Sequence, residues 1–195
     1  AADALGFHAA GFETAWFCEI DPTARAVLAR HWPEVPCYED IRTLNPSALP
    51  RVDVRIGGFP CQDVSVAGQR AGLAGERTGL FWEFTRLVDG LRPTWLCLEN
   101  VPGLLSSNGT EDMGAVLWAL GELGYGWAYR VLDAQHWGVP QRRRRVFVVG
   151  CAGGRTDRAA QVLFESEGGA GDSPAGGEAR QDAAGCTDVG AGESS

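Results

Sequence analysis

The sequence lacks several features that would place it in a common protein class. None of its apolar runs is long enough to cross a bilayer, so we expect no membrane association. Its six cysteines are widely spaced and include no Cys-x-x-Cys pair, which argues against a zinc site. Basic charge is also not in excess. The 17 arginines face 25 acidic residues and there is no lysine, so a general nucleic-acid coat protein is disfavoured.

The chain does contain enough apolar material for one folded domain. Hydrophobic residues make up 45% of its 195 positions, an ordinary share for a globular core. Cys18 and Cys97 lie in apolar, strand-like runs, so we expect buried free thiols in a reducing cytoplasm rather than disulfides. The chain opens without Met, inside a helix-like pattern, and we expect further sequence upstream of it.

Composition changes after Gly150. Residues 151–195 hold ten glycines and carry three arginines against eight acids, with Val162-Leu163-Phe164 as their apolar cluster. Such a segment buries too little apolar surface to offset the entropy lost when it orders. We therefore predict one folded domain over residues 1–150, followed over residues 151–195 by an acidic tail that is disordered or begins a further region.

Strand-like and helix-like segments alternate within residues 13–150. Apolar runs predict strands at 13–20, 35–41, 52–56, 95–98, 127–132 and 145–149, and Gly57-Gly58 is expected to break the third. Asp21-Pro22 provides the N-cap and first residue of a helix, and amphipathic patterns predict helices over 79–91 and 111–123. The alternation predicts a mostly parallel α/β sheet with helices on both faces.

Reactive side chains fall at the carboxyl ends of four predicted strands: Glu19, Asp40, Cys61 and Glu99. Open α/β sheets bind ligands at that edge. Cys61 is surrounded by polar and glycine-rich sequence, which favours a reactive thiolate over a buried structural cysteine. Glu99 can carry a proton, although a capping or ion-paired acid would show the same pattern. Glu19 fits a ribose-binding acid and a solvated strand end about equally well.

Four consecutive arginines, 142–145, precede the last predicted strand. A charge run of this kind usually marks a solvated surface. Alternation along a strand places Arg143 and Arg145 on one side and the other two on the opposite side. One pair can therefore point at the site while the other meets solvent or phosphate.

Three motifs in this order resemble the bacterial and phage DNA (cytosine-5) methyltransferases. They are Gly58-Phe59-Pro60-Cys61-Gln62, Glu99-Asn100-Val101 and Gly138-Val139-Pro140-Gln141-Arg142-Arg143-Arg144-Arg145. The resemblance runs from about Leu5 to Gly150 and implies a partial catalytic domain. Its fold would be the Rossmann-like sheet of S-adenosylmethionine-dependent methyltransferases, without the first strand. The family's Phe-x-Gly-x-Gly element, most of its target-recognition region and its closing Gly-Asn-x-Val element have no counterpart here.

The resemblance also implies a reaction, in which a cytosine flipped out of DNA is methylated at C5. Cys61, between Pro60 and Gln62, would attack C6 of the base while Glu99 protonates N3. Arg145 would bind O2 of the cytosine, with Arg143 near the nucleophile and the backbone. Asn100 would support the Pro60-Cys61 loop, and residues 60–79 would form a mobile loop that closes over the base.

For the cofactor, the resemblance implies S-adenosylmethionine and no metal. Glu19 would bind the ribose hydroxyls and Asp40 the adenine amino group, Ile20 and Ile41 would flank the ring, and Leu80 would line the pocket. The protein would act as a monomer on double-stranded DNA in a bacterial cytoplasm, in a restriction-modification or phage setting. An RNA cytosine-5 methyltransferase and an inactive fragment that only binds DNA or a partner are the alternatives.

Overall fold

The computed structural model describes residues 2–60, 79–138 and 140–164 and shows an α/β fold with two sheets. The smaller sheet pairs strands β1 (Phe17–Cys18) and β2 (Cys37–Tyr38) in parallel. The larger contains β3 (Val54–Gly58), β4 (Trp95–Asn100), β5 (Tyr125–Asp133) and β6 (Arg144–Ala152) in the order β3-β4-β6-β5. In the described ranges β1 and β3 are not paired with each other.

Five α-helices accompany these strands in the described ranges. They are α1 (Ala2–Ala9), α2 (Pro22–His31), α3 (Leu80–Leu91), α4 (Glu111–Glu122) and α5 (Thr156–Leu163). The predicted start of α2 is confirmed, because the Asp21 carboxylate accepts the backbone N–H of Thr23 at 2.7 Å. The helices predicted over 79–91 and 111–123 are confirmed as α3 and α4. None of the described helices is long and apolar enough to span a membrane.

Helix α3 provides much of the main core. Its apolar stripe is buried against the larger sheet, where it packs with fully buried aliphatic residues of β4 and β6 such as Leu96, Leu98 and Val146. Each such side chain contributes roughly 1.5–3 kcal/mol when removed from water. Leu80, the first residue of the helix, lies outside this buried stripe and is 37% exposed.

The larger sheet is mixed rather than mostly parallel, which corrects the expectation from sequence. Strands β3 and β4 are parallel, but β6 runs antiparallel to both β4 and β5. The cause is the short connection over residues 134–143, whose described part holds one 3-10 turn, Ala134–Trp137. A parallel return would need a crossover of a dozen or more residues, usually a helix, whereas an antiparallel neighbour can follow directly.

Three details of the predicted strands were wrong. The first strand, expected over 13–20 as a buried strand, is reduced to the half-buried pair Phe17–Cys18, which in the described part of the chain pairs only with β2. The second, expected over 35–41, is reduced to Cys37–Tyr38, and Ile41 begins a 3-10 turn instead. Gly57 and Gly58 do not break the third strand; they are its last two residues. A glycine is needed at position 57 because a Cβ there would lie 2.6 Å from the Phe84 ring.

The compact unit of the chain ends at Phe164. Strand β6 continues to Ala152, and Ala159 of α5 packs on Val149 and Cys151 of β6. The division between a domain over 1–150 and a tail over 151–195 stays a prediction, because residues 165–195 lie outside the described ranges.

Candidate active site

The centre of the candidate site is the carboxylate of Glu99, which lies between two guanidinium groups. Arg145 Nε is 2.8 Å from Glu99 Oε1, and Arg143 Nη2 is 3.6 Å from the same oxygen. As strand alternation predicted, Arg143 and Arg145 are on one side. The Glu99 and Arg145 side chains are only about a quarter exposed, at 26% and 23%. Solvent screens such a pair less than it screens a surface pair.

The antiparallel pairing of β4 and β6 creates this cluster. Glu99 is opposite Phe147 in the register, which brings the arginines at the start of β6 to the end of β4. Asp133, at the end of β5, holds the backbone of Arg143 in place, because its carboxylate accepts the backbone N–H of Arg143 at 3.0 Å. The sequence analysis missed Asp133. The available signal was its N-cap pattern, because the same carboxylate also caps the turn that begins at Ala134.

A buried amide connects the Glu99 strand to the segment that precedes the predicted nucleophile. Asn100 Nδ2 donates to the carbonyl of Phe59 at 2.8 Å, and Asn100 Oδ1 accepts the backbone N–H of Val101 at 2.8 Å. Phe59 directly precedes Pro60, which is exposed. Asn100 thus holds the carbonyl of the residue before Pro60, and its predicted support of the Pro60-Cys61 loop stays a prediction. Cys61, Gln62 and the rest of the predicted mobile loop up to residue 78 lie outside the described ranges, so their placement stays a prediction.

Glu99 also borders a mainly apolar cavity of about 340 Å³ between α1 and the larger sheet. Its wall includes Phe7 and Phe12 from the N-terminal segment and Ile56, Cys97 and Phe147 from the sheet. Burial raises the pKa of the Cys97 thiol to about 11. Cys97 is therefore neutral at physiological pH and is not a nucleophile, as expected of a structural thiol.

A second group of predicted residues lies at the carboxyl edge of the smaller sheet. Glu19 directly follows β1 and Asp40 follows β2, and because these strands are parallel neighbours the two acids share one edge. Glu19 Oε1 accepts the backbone N–H of Asp21 at 3.0 Å. Ile20 beside it is 63% exposed.

Asp40 is held by its neighbour Arg42. Its carboxylate accepts hydrogen bonds from Arg42 Nη2 at 2.7 Å, from Nε at 3.0 Å and from the backbone N–H at 2.9 Å. The side-chain hydrogen bonds are the main reason why the pKa of Asp40 is below its ordinary value. Asp40 is also the N-cap of the 3-10 turn Ile41–Thr43, which fixes its position relative to Ile41.

Comparison with known proteins identifies the family. The profile of the C-5 cytosine-specific DNA methylases matches residues 2–168, most of the chain. The chain belongs to this family. A Bacillus subtilis relative, Type II methyltransferase M2.BsuMI, is 43% identical over 149 residues, which cover 74% of this chain and 38% of the relative. Type II methyltransferase M.AquIA from Picosynechococcus is 38% identical over 169 residues, covering 78% of this chain and 68% of the relative.

Type II methyltransferase M.NgoBV from Neisseria gonorrhoeae is 34% identical over 152 residues, which cover 36% of its length. The chain therefore spans little more than a third of the length of M2.BsuMI and of M.NgoBV. Solved structures agree on the fold. A prophage-encoded DNA modification methyltransferase from E. coli has 27% identity and a TM-score of 0.59, covering 73% of this chain and 41% of its own. A DNMT2 variant from Spodoptera frugiperda has 20% identity and a TM-score of 0.59, covering 75% and 45%.

Membership of this family implies S-adenosylmethionine as methyl donor, and the residues at the edge of the smaller sheet fit that molecule. Glu19 and Asp40 offer carboxylate acceptors suited to ribose hydroxyls and an adenine amino group. Ile20 offers an exposed apolar side chain for the face of a flat ring. Ile41 is partly buried against the core, and Leu80 lies at the start of α3. Within the described residues, no three His, Cys, Asp or Glu side chains are grouped so that they could hold a metal ion.

Proposed function

We propose that this protein transfers a methyl group from S-adenosylmethionine to C5 of a cytosine flipped out of duplex DNA, through a covalent bond between Cys61 and C6. The observation that carries the proposal is the contact of the Glu99 carboxylate with Arg143 and Arg145. Asn100, the next residue on the same strand, donates to the carbonyl of Phe59. This cluster offers a proton carrier and two cations beside the segment that leads to Cys61.

The chemistry needs both parts of the cluster. Addition of the Cys61 sulfur to C6 breaks the C5–C6 double bond and moves electron density toward C5 and N3. Glu99 holds N3 and delivers a proton there, while Arg145 binds O2 and stabilises the charge that develops on the ring. The cofactor, when bound, supplies an electrophilic methyl group for C5. Transfer of the C5 proton to water then restores the double bond and expels the Cys61 sulfur as a thiolate, and the N3 proton returns to Glu99.

Arg145 would exchange partners when a base arrives. Its Nε contacts Glu99 and its Nη1 donates to the carbonyl of Arg144 at 2.7 Å. The side chain is 23% exposed, so O2 of an arriving base can compete for these donors. Asn100 keeps the Phe59 carbonyl fixed and so supports Pro60, the residue before Cys61. Arg143, half exposed, contributes charge to the carboxylate and to the approach of DNA phosphates.

The proposed setting is restriction-modification in a bacterial cytoplasm, with double-stranded DNA as the substrate of a monomeric enzyme. It is supported by the Type II methyltransferases among the relatives. The Glu19 and Asp40 edge would hold the ribose and adenine of the cofactor, with Ile20, Ile41 and Leu80 around the ring.

Covalent trapping tests this proposal. The protein is incubated with S-adenosylmethionine and a mixed-sequence duplex in which every cytosine is 5-fluorocytosine, so that no knowledge of the recognition sequence is needed. The fluorine at C5 cannot leave as a proton does, and we expect an adduct that survives denaturing electrophoresis. The Cys61→Ser variant should form none.

The matched control is Cys97→Ala, which removes a thiol that the structure makes inert and should leave the adduct in place. An RNA of the same composition is the second arm. Adducts on RNA alone would favour an RNA methyltransferase, and an adduct that persists in Cys61→Ser would contradict the assigned nucleophile.

A further inference from the structure

We propose that Arg86 is a positioning residue for the cofactor: it clamps the turn that carries Asp40 and Ile41 to helix α3. The inference rests on the proposed function, because Asp40, Ile41 and Leu80 are the residues expected around the adenine ring. It concerns a residue that contacts no reacting atom and acts through the turn that it holds.

The clamp consists of two long-range hydrogen bonds from one guanidinium. Arg86 Nη2 donates to the carbonyl of Ile41 at 3.0 Å, and Nη1 donates to the carbonyl of Leu44 at 2.9 Å. The third arm, Nε, donates to Glu83 Oε2 at 2.7 Å on the same helix. A planar guanidinium can satisfy all three acceptors at once, which a lysine ammonium cannot do with the same geometry.

The turn needs an external support. It is a 3-10 turn of three residues, Ile41–Thr43, closed by the backbone bonds from Thr43 to the Asp40 carbonyl (3.1 Å) and from Leu44 to the Ile41 carbonyl (3.3 Å). So short a helix has little stability of its own. Arg86 binds the carbonyls at both ends of it, and through it the position of the Asp40 carboxylate is set relative to α3.

Apolar packing brings the same two elements together but does not orient the turn. Leu44 packs with Leu87 and Leu91 of α3. A Cβ at Gly90 would be 2.4 Å from Pro46, so α3 and the segment after the turn are in close contact. Packing of this kind is not directional, whereas the two charge-assisted bonds of Arg86 fix individual carbonyls. The clamp therefore spans the two walls of the predicted adenine pocket, with Leu80 at the start of the same helix.

The ion pair with Glu83 is not the important part. Both side chains are partly exposed, at 39% and 27%, and exposed i,i+3 pairs contribute little. The variant Glu83→Gln should therefore leave the turn unchanged, and removal of the guanidinium itself is the informative change.

Hydrogen exchange tests the clamp without any cofactor. In Arg86→Met we expect the amides of Thr43 and Leu44 to exchange about tenfold faster, because two charge-assisted bonds are lost from their turn. The matched control is Arg92→Met. Arg92 is the C-cap residue of the same helix and also donates to carbonyls, but these belong to Asp89 and Leu123 and not to the turn. Its loss should leave the exchange of these two amides unchanged.

Calorimetric titration with S-adenosylmethionine is the second readout. Arg86→Met should bind about tenfold more weakly than the wild type, with the methylation rate at saturating cofactor unchanged, and Arg86→Lys should recover part of the affinity. Unchanged exchange in Arg86→Met, or faster exchange with unchanged affinity, would overturn the inference. A wild-type protein that binds no S-adenosylmethionine would instead count against the proposed function, and the exchange of Thr43 and Leu44 would still decide whether the clamp exists.

Discussion

The two halves of the candidate site are held in different ways. Glu99 is fixed by residues far away in the sequence, through the pairing of β4 with β6 and the 2.8 Å contact with Arg145. Asp40 is held mainly by residue Arg42, two positions further along, in an exposed turn. The proposed catalytic half, around Glu99, is thus a product of sheet formation. The proposed cofactor half, around Asp40, is a local structure supported from outside by Arg86.

This difference predicts how each half responds to change. The strand backbone that carries Glu99 cannot shift without disrupting backbone hydrogen bonds, so the proposed proton carrier starts from a fixed position. A carboxylate held in a short turn can adjust to its ligand at little cost. Substitutions at the Glu99 half should therefore affect rate or folding, and those at the Asp40 half should affect affinity.

The largest effect is expected from Glu99→Gln. Glutamine keeps the shape of the side chain but cannot carry a proton to N3, so the methylation rate should fall by about 10²- to 10⁴-fold. Steady-state kinetics at saturating cofactor measure this. Asp40→Asn is the comparison and should raise the half-saturating cofactor concentration about tenfold with the rate little changed. A fully active Glu99→Gln enzyme would remove Glu99 from the mechanism.

Folding should be most sensitive at Gly57, where the larger sheet meets α3. A side chain at this position would approach the Phe84 ring to 2.6 Å, so Gly57→Val should lower the free energy of unfolding by about 3 kcal/mol. Urea denaturation measures the loss. Gly58→Ala is the control, because its Cβ would be 3.6 Å from the nearest atom, an ordinary contact. Equal losses in the two variants would contradict the packing argument.

Two asparagines allow a comparison of the stability contributed by a long-range hydrogen bond with that contributed by a local one. Asn100 is buried and donates across the structure to Phe59, so Asn100→Ala should cost about 2 kcal/mol by leaving that carbonyl without its partner. Asn45 caps an exposed turn through the backbone N–H of Ser47, and Asn45→Ala should cost about 1 kcal/mol or less. Thermal unfolding of both variants compares them, and a reversed order would show that the site is not held as proposed.

The smallest effect concerns the ionisation of Asp40. Because the hydrogen bonds from Arg42 hold the pKa of Asp40 below its ordinary value, the ionised carboxylate favours the folded state above the unfolded pKa. This contribution is lost as pH falls through the lowered folded pKa. In Arg42→Met the pKa of Asp40 should rise toward its ordinary value, which NMR titration of the side-chain carboxyl carbon detects.

Arg25→Met is the control for that titration. Arg25 forms its ion pair with Glu39, the residue before Asp40, so its loss removes a nearby positive charge without touching the bonds to Arg42. The titration of Asp40 should then be unchanged. If both variants shift it equally, general charge rather than the hydrogen bonds of Arg42 governs the carboxylate.

Sequence patterns predicted the elements better than their arrangement. The helices α3 and α4 and the cap at Asp21 follow from local preferences, and each was found where expected. The antiparallel insertion of β6 was not predicted, because strand direction depends on which edges pair and on the length of the connection, and neither appears in the period of an apolar run. The shortening of the first strand to Phe17–Cys18 has the same origin, since a strand extends only over the residues that pair with a neighbouring strand.

The sequence by itself determined the family, the positions of the acids at strand ends and the alternation that puts Arg143 and Arg145 on one side. These follow from motifs and from the fixed two-residue period of a strand. Only the tertiary structure decided that both arginines meet Glu99, that Asp133 directs Arg143 and that Arg86 clamps the Asp40 turn. Those contacts join residues from 10 to 46 positions apart, and such distances are closed by sheet register and helix packing rather than by local preference.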